Sequence, residues 1–434
     1  MNEDILLNVV EQAKKSGVEH VDIIATESQT ISVISRLKKI EQLTEANIED
    51  VQVRASIGNQ QAIASTNSIE DLKNRDFIEK LVDATKNSPA DTFSFQPNKM
   101  DNDIEQLPLC DSTIFSKDDI IKYVTDCEEH MLSTSGITNS EGAEFSYSNS
   151  KIILRKDYDF CQSYSKTLFQ ASAVPLAEND GELQQDYAFT EGLFLKDIQS
   201  AEQLSKDATT RTLRKVGSRK IDTCSVPVIF DRRCTAGLLS SLVSSINGAN
   251  IANGMSFLKD KINQKIMTDK ISIFDTYNNG VRARPFDSDG LKSQNNELIV
   301  DGVLNAFLLN TRYANQLNMK STHSASGFKG IAPNNVYMQN GTISFEDMIA
   351  DIKQGLLITE TMGDGLNIVT GNYSTGACGL WIENGEIQYP VNEITIAGTF
   401  DDLFANSIPA SDLKIRTGYN APSLFVPNLT IGGK

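Results

Sequence analysis

The order of apolar and polar positions divides the chain into stretches with different rhythms. Between residues 4 and 16, Ile5, Leu6, Val9, Val10 and Ala13 recur at helical spacing and Gly17 follows as a stop, which predicts an amphipathic helix. The period then drops to two. "HVDIIATES", "TISVISRL", "DVQVRASIG" and "QQAIASTN" predict four short strands joined by tight links, an antiparallel meander. Ile69, Leu72, Phe77, Leu81 and Ala84 restore helical spacing and predict a second helix over 69–85. Residues 88–116 hold three prolines and few apolar side chains, and read as a linker or an ordered loop crossing a surface.

A middle stretch begins with a predicted helix over 117–132. The strand-like runs "AEFSYSN", "KIILRKD" and "SYSKTLFQASAVPLA" follow, then a polar helix over 198–215. "VGSRKIDT" marks the next boundary. From Cys224 onward, β signals and glycine dominate. "ELIVDGVLNAFLLN" and "CGLWIENGEIQYPV" place apolar runs around Asp301-Gly302 and Asn384-Gly385, which predicts two hairpins. The expected fold is α+β. It comprises an N-terminal helix-flanked antiparallel sheet (1–110), a middle α/β unit (111–222) and a mostly β, barrel- or sandwich-like C-terminal domain (223–434).

Charge narrows the partners. The 434 residues carry a net charge of −17, which argues against a phosphate grip on nucleic acid or on an anionic membrane. The densest basic run, "RTLRKVGSRK" (Arg211–Lys220), reads as a solvated helix end and linker. The N-terminus carries acids where a signal peptide carries Lys or Arg, and no run approaches the roughly 18 apolar residues of a membrane span. Six scattered cysteines without a CxxC fit reduced thiols, so a cytoplasmic protein is expected.

Candidate chemistry is sparse. Catalytic zinc needs about three protein ligands and an open position. His20, His130 and His323 fall in three different predicted regions, and "CEEHML" around His130 reads as an exposed helix face. His323 sits among serines in "MKSTHSASGFKG", but no GxSxG elbow accompanies it. Glu360 and Asp364 read as solvated acids of a glycine-rich turn, and neither GxGxxG nor a P-loop occurs. The densest unusual stretch is Gly355–Val391, with Gly363, Gly365, Gly371, Gly376 and Gly379 between short apolar runs. It fits either tight turns within a barrel or a groove where an extended peptide runs along strand edges. Met362, Gly363, Gly365, Gly371, Tyr373 and Gly376 are the candidate residues of such a groove or interface, with Trp381 lining it or packing beneath.

This same stretch, "GLLITETMGDGLNIVTGNYSTGACGLWIENGEIQYPVNEITIAGTFDDLF", resembles the C-terminal signature of the TldD/PmbA family, in its PmbA branch, also called TldE. "VPVIFDRRCTAGLL", "PFDSDGLKSQNNELIVDGVLNAFLLN" and the ending "VPNLTIGGK" resemble it too. The resemblance implies a cytosolic two-subunit zinc metallopeptidase that cuts peptides or unfolded chains. In the TldD subunit an HExxxH motif gives two His ligands, a C-terminal Cys gives the third, and the Glu acts as general base on zinc-bound water. The segment corresponding to HExxxH is "CTAGLLSSLVSSI", where Cys234, Thr235, Gly237, Leu238, Ser240 and Ser241 stand and no His or Glu occurs. The Cys ligand falls near "RTGYNAPSLFVPNL", which holds no Cys.

The resemblance therefore implies a vestigial motif and no catalytic or metal residue on this chain. Zinc is expected on a TldD-like partner, with this chain shaping the shared cavity, or forming a homodimer when alone. Cys378, in "GACG" where a small residue is expected, reads as a buried thiol. Two rival readings stand beside this one. The first is a self-sufficient hydrolase using His323 or Cys234. The second is a regulatory binding protein of the DNA gyrase modulator type.

Overall fold

The structure is a computed structural model that describes residues 3–93, 96, 100, 103–113, 115–363 and 365–434. The chain folds as α+β. Its N-terminal strands are β1 (His20–Arg36), β2 (Lys39–Ile57), β3 (Gln60–Thr66), β4 (Asn139–Lys156), β5 (Phe160–Asn179), β6 (Glu182–Gln185) and β7 (Ala188–Gly192). They form one seven-stranded antiparallel sheet in the order β3-β2-β1-β4-β5-β6, with β7 also on β5. The accompanying helices are α1 (Glu3–Lys15), α2 (Arg75–Lys86), α3 (Lys117–Ser133) and α4 (Ala201–Leu213).

Two sequence expectations change here. "HVDIIATES" and "TISVISRL" are a single 17-residue strand, and "AEFSYSN" and "KIILRKD" a single 18-residue strand. Their Ser- and Asn-rich middles resemble turns locally, but pairing on both sides satisfies the backbone and keeps it extended. In addition, β1 pairs with β4 from Asp22 to Ser35. The boundary expected at residue 110 therefore runs through one sheet.

Side-chain parity explains how this sheet is covered. Val21, Ile23, Ala25 and Val33 of β1 point to one face, as do Val51, Val53, Phe145, Ile153, Phe169 and Ala171 of its neighbours, and all are buried. Helices α1 and α2 cover one end of that face, and α3 and α4 the other. Helix α3 starts on a capping box in which Ser116 and Asp119 satisfy each other's backbone N–H. Replacing Ser116 by Ala should cost about 1 kcal/mol, read as a lower urea midpoint with an unchanged slope.

The opposite face meets the C-terminal domain through Asp22, Arg54, Leu154, Lys156 and Phe160. Further along, the same face carries a half-buried hydroxyl ladder: Ser28 beside Ser150, Thr30 beside Ser148, Ser32 beside Ser146.

The C-terminal domain contains β8 (Cys224–Phe230), β9 (Ile273–Thr276), β10 (Asn296–Val300), β11 (Val303–Leu304), β12 (Ala325–Ser326), β13 (Gly330–Ile331) and β14 (Asn335–Met338). The strands β15 (Gln354–Met362), β16 (Asn372–Glu383), β17 (Glu386–Thr399), β18 (Ile408–Pro409), β19 (Tyr419–Asn420) and β20 (Leu424–Gly432) follow. Its helices are α5 (Arg232–Ser245), α6 (Gly248–Ala252), α7 (Thr311–Leu317), α8 (Phe345–Ala350) and α9 (Phe400–Phe404).

Strands β17, β16, β15, β8 and β20 pair in that order, and β17 pairs again with β20, so the sheet closes into a barrel-like ring. Val228, Phe230, Leu356 and Ile358 pack one face of it against α5, while Ile229, Leu357, Leu380 and Ile382 pack the other against α8. Both predicted hairpins form. Asp301-Gly302 and Asn384-Gly385 all take positive φ, the geometry of a two-residue turn matched to strand twist.

Candidate functional site

The junction of β8 and α5 is the place to begin. Strand β8 lies between β15 and β20, and it ends at Phe230. Asp231 then caps α5, its Oδ1 accepting the Cys234 N–H at 2.8 Å. Along α5, Cys234, Thr235, Leu238 and Ser241 are buried, Ser240 is half-buried and Gly237 is exposed. Strand β19 packs against α5. The two segments in which the family resemblance places metal ligands are therefore neighbours in space.

The donors along α5 do not fit a zinc site. The Thr235 hydroxyl donates to the carbonyls of Phe230 and Asp231, and the Ser241 hydroxyl donates to that of Gly237 at 3.2 Å. Burial, and after it the Asp231 carboxylate, pushes the Cys234 thiol up, so it stays protonated and is a poor ligand. Sterics are not the obstacle, because a side chain added at Gly237 would meet open space. Among the described residues, no three His, Cys, Asp or Glu side chains converge to hold a metal.

The histidines are dispersed. His20 bonds Asp157 at 2.8 Å, and His130 lies exposed in the last turn of α3. His323 places Nδ1 at 2.6 Å from the Lys292 carbonyl, while the hydroxyls of Ser321 and Ser324 donate to backbone carbonyls. No nucleophile and base meet there.

The glycine-rich segment is mainly a packing device. A Cβ on Gly379 would lie 2.3 Å from the Leu357 carbonyl oxygen, and one on Gly365 would lie 2.6 Å from the Tyr373 ring. Gly371 abuts Phe257, and Gly376 abuts Met362. Tyr373 is 2% exposed and set edge-on to Phe230, so it belongs to the core and not to a groove wall. Trp381 is half-buried and stacks on Tyr389. Only Met362 and Gly363 of the six candidates are exposed. Glu360 pairs with Lys215 at 2.5 Å, and Asp364 lies outside the described residues. Cys378 is partly buried, and its thiol is pushed up by burial and then by Glu360.

The feature that sequence reading missed is a cleft of about 770 Å³ before the first turn of α5. Arg211 and Arg214 reach it from the end of α4, Arg232 and Arg233 from α5, and Lys414 and Arg416 from the loop before β19. Arg233 makes a bidentate pair with buried Asp186 at 2.7 and 3.1 Å, and Lys215 approaches the same carboxylate at 3.3 Å. Burial lowers the Arg211 pKa, and the facing Arg233 lowers it further. The only sequence signals were the run Arg211–Lys220 and the Arg232-Arg233 pair.

Comparison with known proteins agrees with the fold. The description "PmbA/TldA metallopeptidase domain 1" matches residues 21–88, and "PmbA/TldA metallopeptidase C-terminal domain" matches 223–433. Metalloprotease PmbA of Escherichia coli O157:H7 is 34% identical over 336 residues, covering 76% of this chain and 74% of that protein. The chain belongs to the PmbA/TldD metallopeptidase family, in its PmbA branch.

Two solved structures share the whole fold. A Bacteroides thetaiotaomicron protein, named as a candidate modulator of DNA gyrase, superposes with a TM-score of 0.91 at 23% identity, covering 100% of this chain and 99% of that one. TldE from Thermococcus kodakarensis superposes at 0.88 with 18% identity, covering 99% and 100%. No helix among the described residues is long and apolar enough to cross a membrane.

Proposed function

We propose that this chain is the non-catalytic, TldE-like subunit of a cytoplasmic two-subunit zinc peptidase acting on peptides or unfolded chains. It shapes the cavity, while a TldD-like partner carries HExxxH and the metal. The observation that carries this reading is the donor set of α5. The helix holds hydroxyls tied to backbone carbonyls and one protonated thiol, so no ligand and no general base stands where the family's chemistry requires them.

A second observation supports a partner. Beyond Val51, β2 has no β3 beside it, so residues 39–50 pair only with β1 and leave a long edge among the described residues. On this arm Leu37, Ile40, Leu43 and Ile48 are 40–52% exposed, an apolar set on an unpaired edge.

The test is co-purification from the native cell, followed by metal and peptidase assays on the complex and on the chain alone. A companion chain with HExxxH is expected, with about one zinc per pair. Chelator-sensitive peptidase activity should appear only in the pair. Chelator-sensitive cleavage by the chain alone overturns the reading.

A further inference from the structure

We infer that the cleft before α5 is a binding site for a short acidic stretch of an extended polypeptide. This goes beyond the subunit role and does not depend on it.

Charge carries the argument. The molecule is strongly acidic, yet seven cationic side chains line this cleft against four carboxylates. They come from three segments that are remote in sequence. Like charges concentrated this way repel one another unless an anion joins them. Three of the four local carboxylates are already engaged, and the fourth, Glu346, is exposed at the rim. Asp231 caps α5, Asp412 accepts from the Ser423 backbone and hydroxyl, and Asp207 accepts from Gln199 and Gln203. Among the described residues, the Arg214 and Lys414 side chains have no hydrogen-bond or ion-pair partner, and both are exposed at the mouth. Arg211, also in the lining, donates to the Tyr187 carbonyl at 3.0 Å.

Size and surroundings select the ligand. The cleft has the volume of a whole ligand pocket, far more than one inorganic anion fills. A nucleotide would need a free aromatic face for its base. Phe345, the aromatic residue in the lining, is half-buried against the apolar cluster beneath α8, and of the rings nearby Arg233 lies 4.9 Å from the Tyr187 centroid and Arg282 lies 4.6 Å from that of Tyr419. A long polyanion would also meet the repulsion of the whole molecule, whereas a few Asp or Glu side chains feel mainly the local field within a Debye length.

The experiment is fluorescence anisotropy on the full chain with labelled hexaglutamate. Hexaglutamine and a thymidine oligonucleotide of equal length serve as controls. Hexaglutamate should bind, hexaglutamine should not, and added salt should weaken the complex. The double variant Arg214→Glu, Lys414→Glu should lose at least about tenfold in affinity. Arg214→Gln, Lys414→Gln should lose less, and its melting temperature should match the parent because neither side chain is packed. Equal binding of hexaglutamine, tighter binding of the oligonucleotide, or unchanged affinity in both variants overturns the inference. The assay uses this chain alone, so failure of the subunit proposal would leave its outcome unaffected.

Discussion

Replacing Asp22 by Ala is expected to lower stability by roughly 3–5 kcal/mol, the largest single effect we anticipate. Asp22, Arg54 and Lys156 are at most 2% exposed and lie where the N-terminal sheet meets the C-terminal domain. Asp22 Oδ2 accepts from Arg54 Nε at 2.8 Å and Nη2 at 2.5 Å, and from Gln96 at 3.0 Å. Lys156 Nζ stands 3.6 Å from Oδ1 and donates to the Asp289 carbonyl at 3.2 Å. Arg54 also lies over the Phe328 ring at 4.6 Å. Removing the carboxylate leaves two buried cations facing each other without their shared anion, a far worse state than the intact trio. Urea denaturation at neutral pH measures the loss.

The pH dependence of that loss follows from the same site. Burial opposes ionisation of Asp22, but the Lys156 and Arg54 charges and the Arg54 and Gln96 hydrogen bonds outweigh it and hold its pKa below the ordinary value. A carboxylate with a depressed folded-state pKa stabilises fully above its unfolded pKa, about 3.9. That contribution disappears as pH falls through the lower, folded value. The gap between parent and Asp22→Ala should therefore be constant near neutrality and narrow below about pH 4. A gap that widens in acid would show that the trio is not the source.

Replacing Gly379 by Ala should cost about 3 kcal/mol. The new Cβ would sit 2.3 Å from the Leu357 carbonyl oxygen, backbone that cannot move without separating β15 from β16 in the closed ring. Gly363→Ala is the matched comparison. It meets nothing within 4 Å but has φ of +87°, so it pays only for its backbone conformation, about 1 kcal/mol. A thermal melt of both variants separates two roles for the segment. If Gly379→Ala melts close to the parent, close packing is not why glycine stands there, and a groove role gains ground.

Much of the architecture was legible because it is local. Helical spacing around Leu6, Val9 and Val10, period-two runs such as Val51, Val53 and Ala55, and the turn pairs Asp301-Gly302 and Asn384-Gly385 each fix an element within a few residues. The missing His and Glu along α5 were equally plain, since a motif is a statement about neighbours in sequence.

Other features depended on residues far apart. The merging of four predicted runs into the two long strands β1 and β4 is completed by a mutual ladder whose partners lie more than a hundred residues apart, beside the hairpins that each strand makes with its neighbour. Local composition there favours turns, and hydrogen bonds to strands on both sides override it. Tyr373 reads as a groove or interface residue beside polar residues and glycines, yet it is buried edge-on against Phe230. The Asp22 trio and the basic cleft are the clearest cases. Each joins charges from three segments, and each side chain alone reads as an ordinary solvated ion. The sequence by itself determined the elements and the absence of His and Glu along α5. The tertiary structure alone decided which charges share a low-dielectric space, because their energy depends on distances that the chain sets only when it folds.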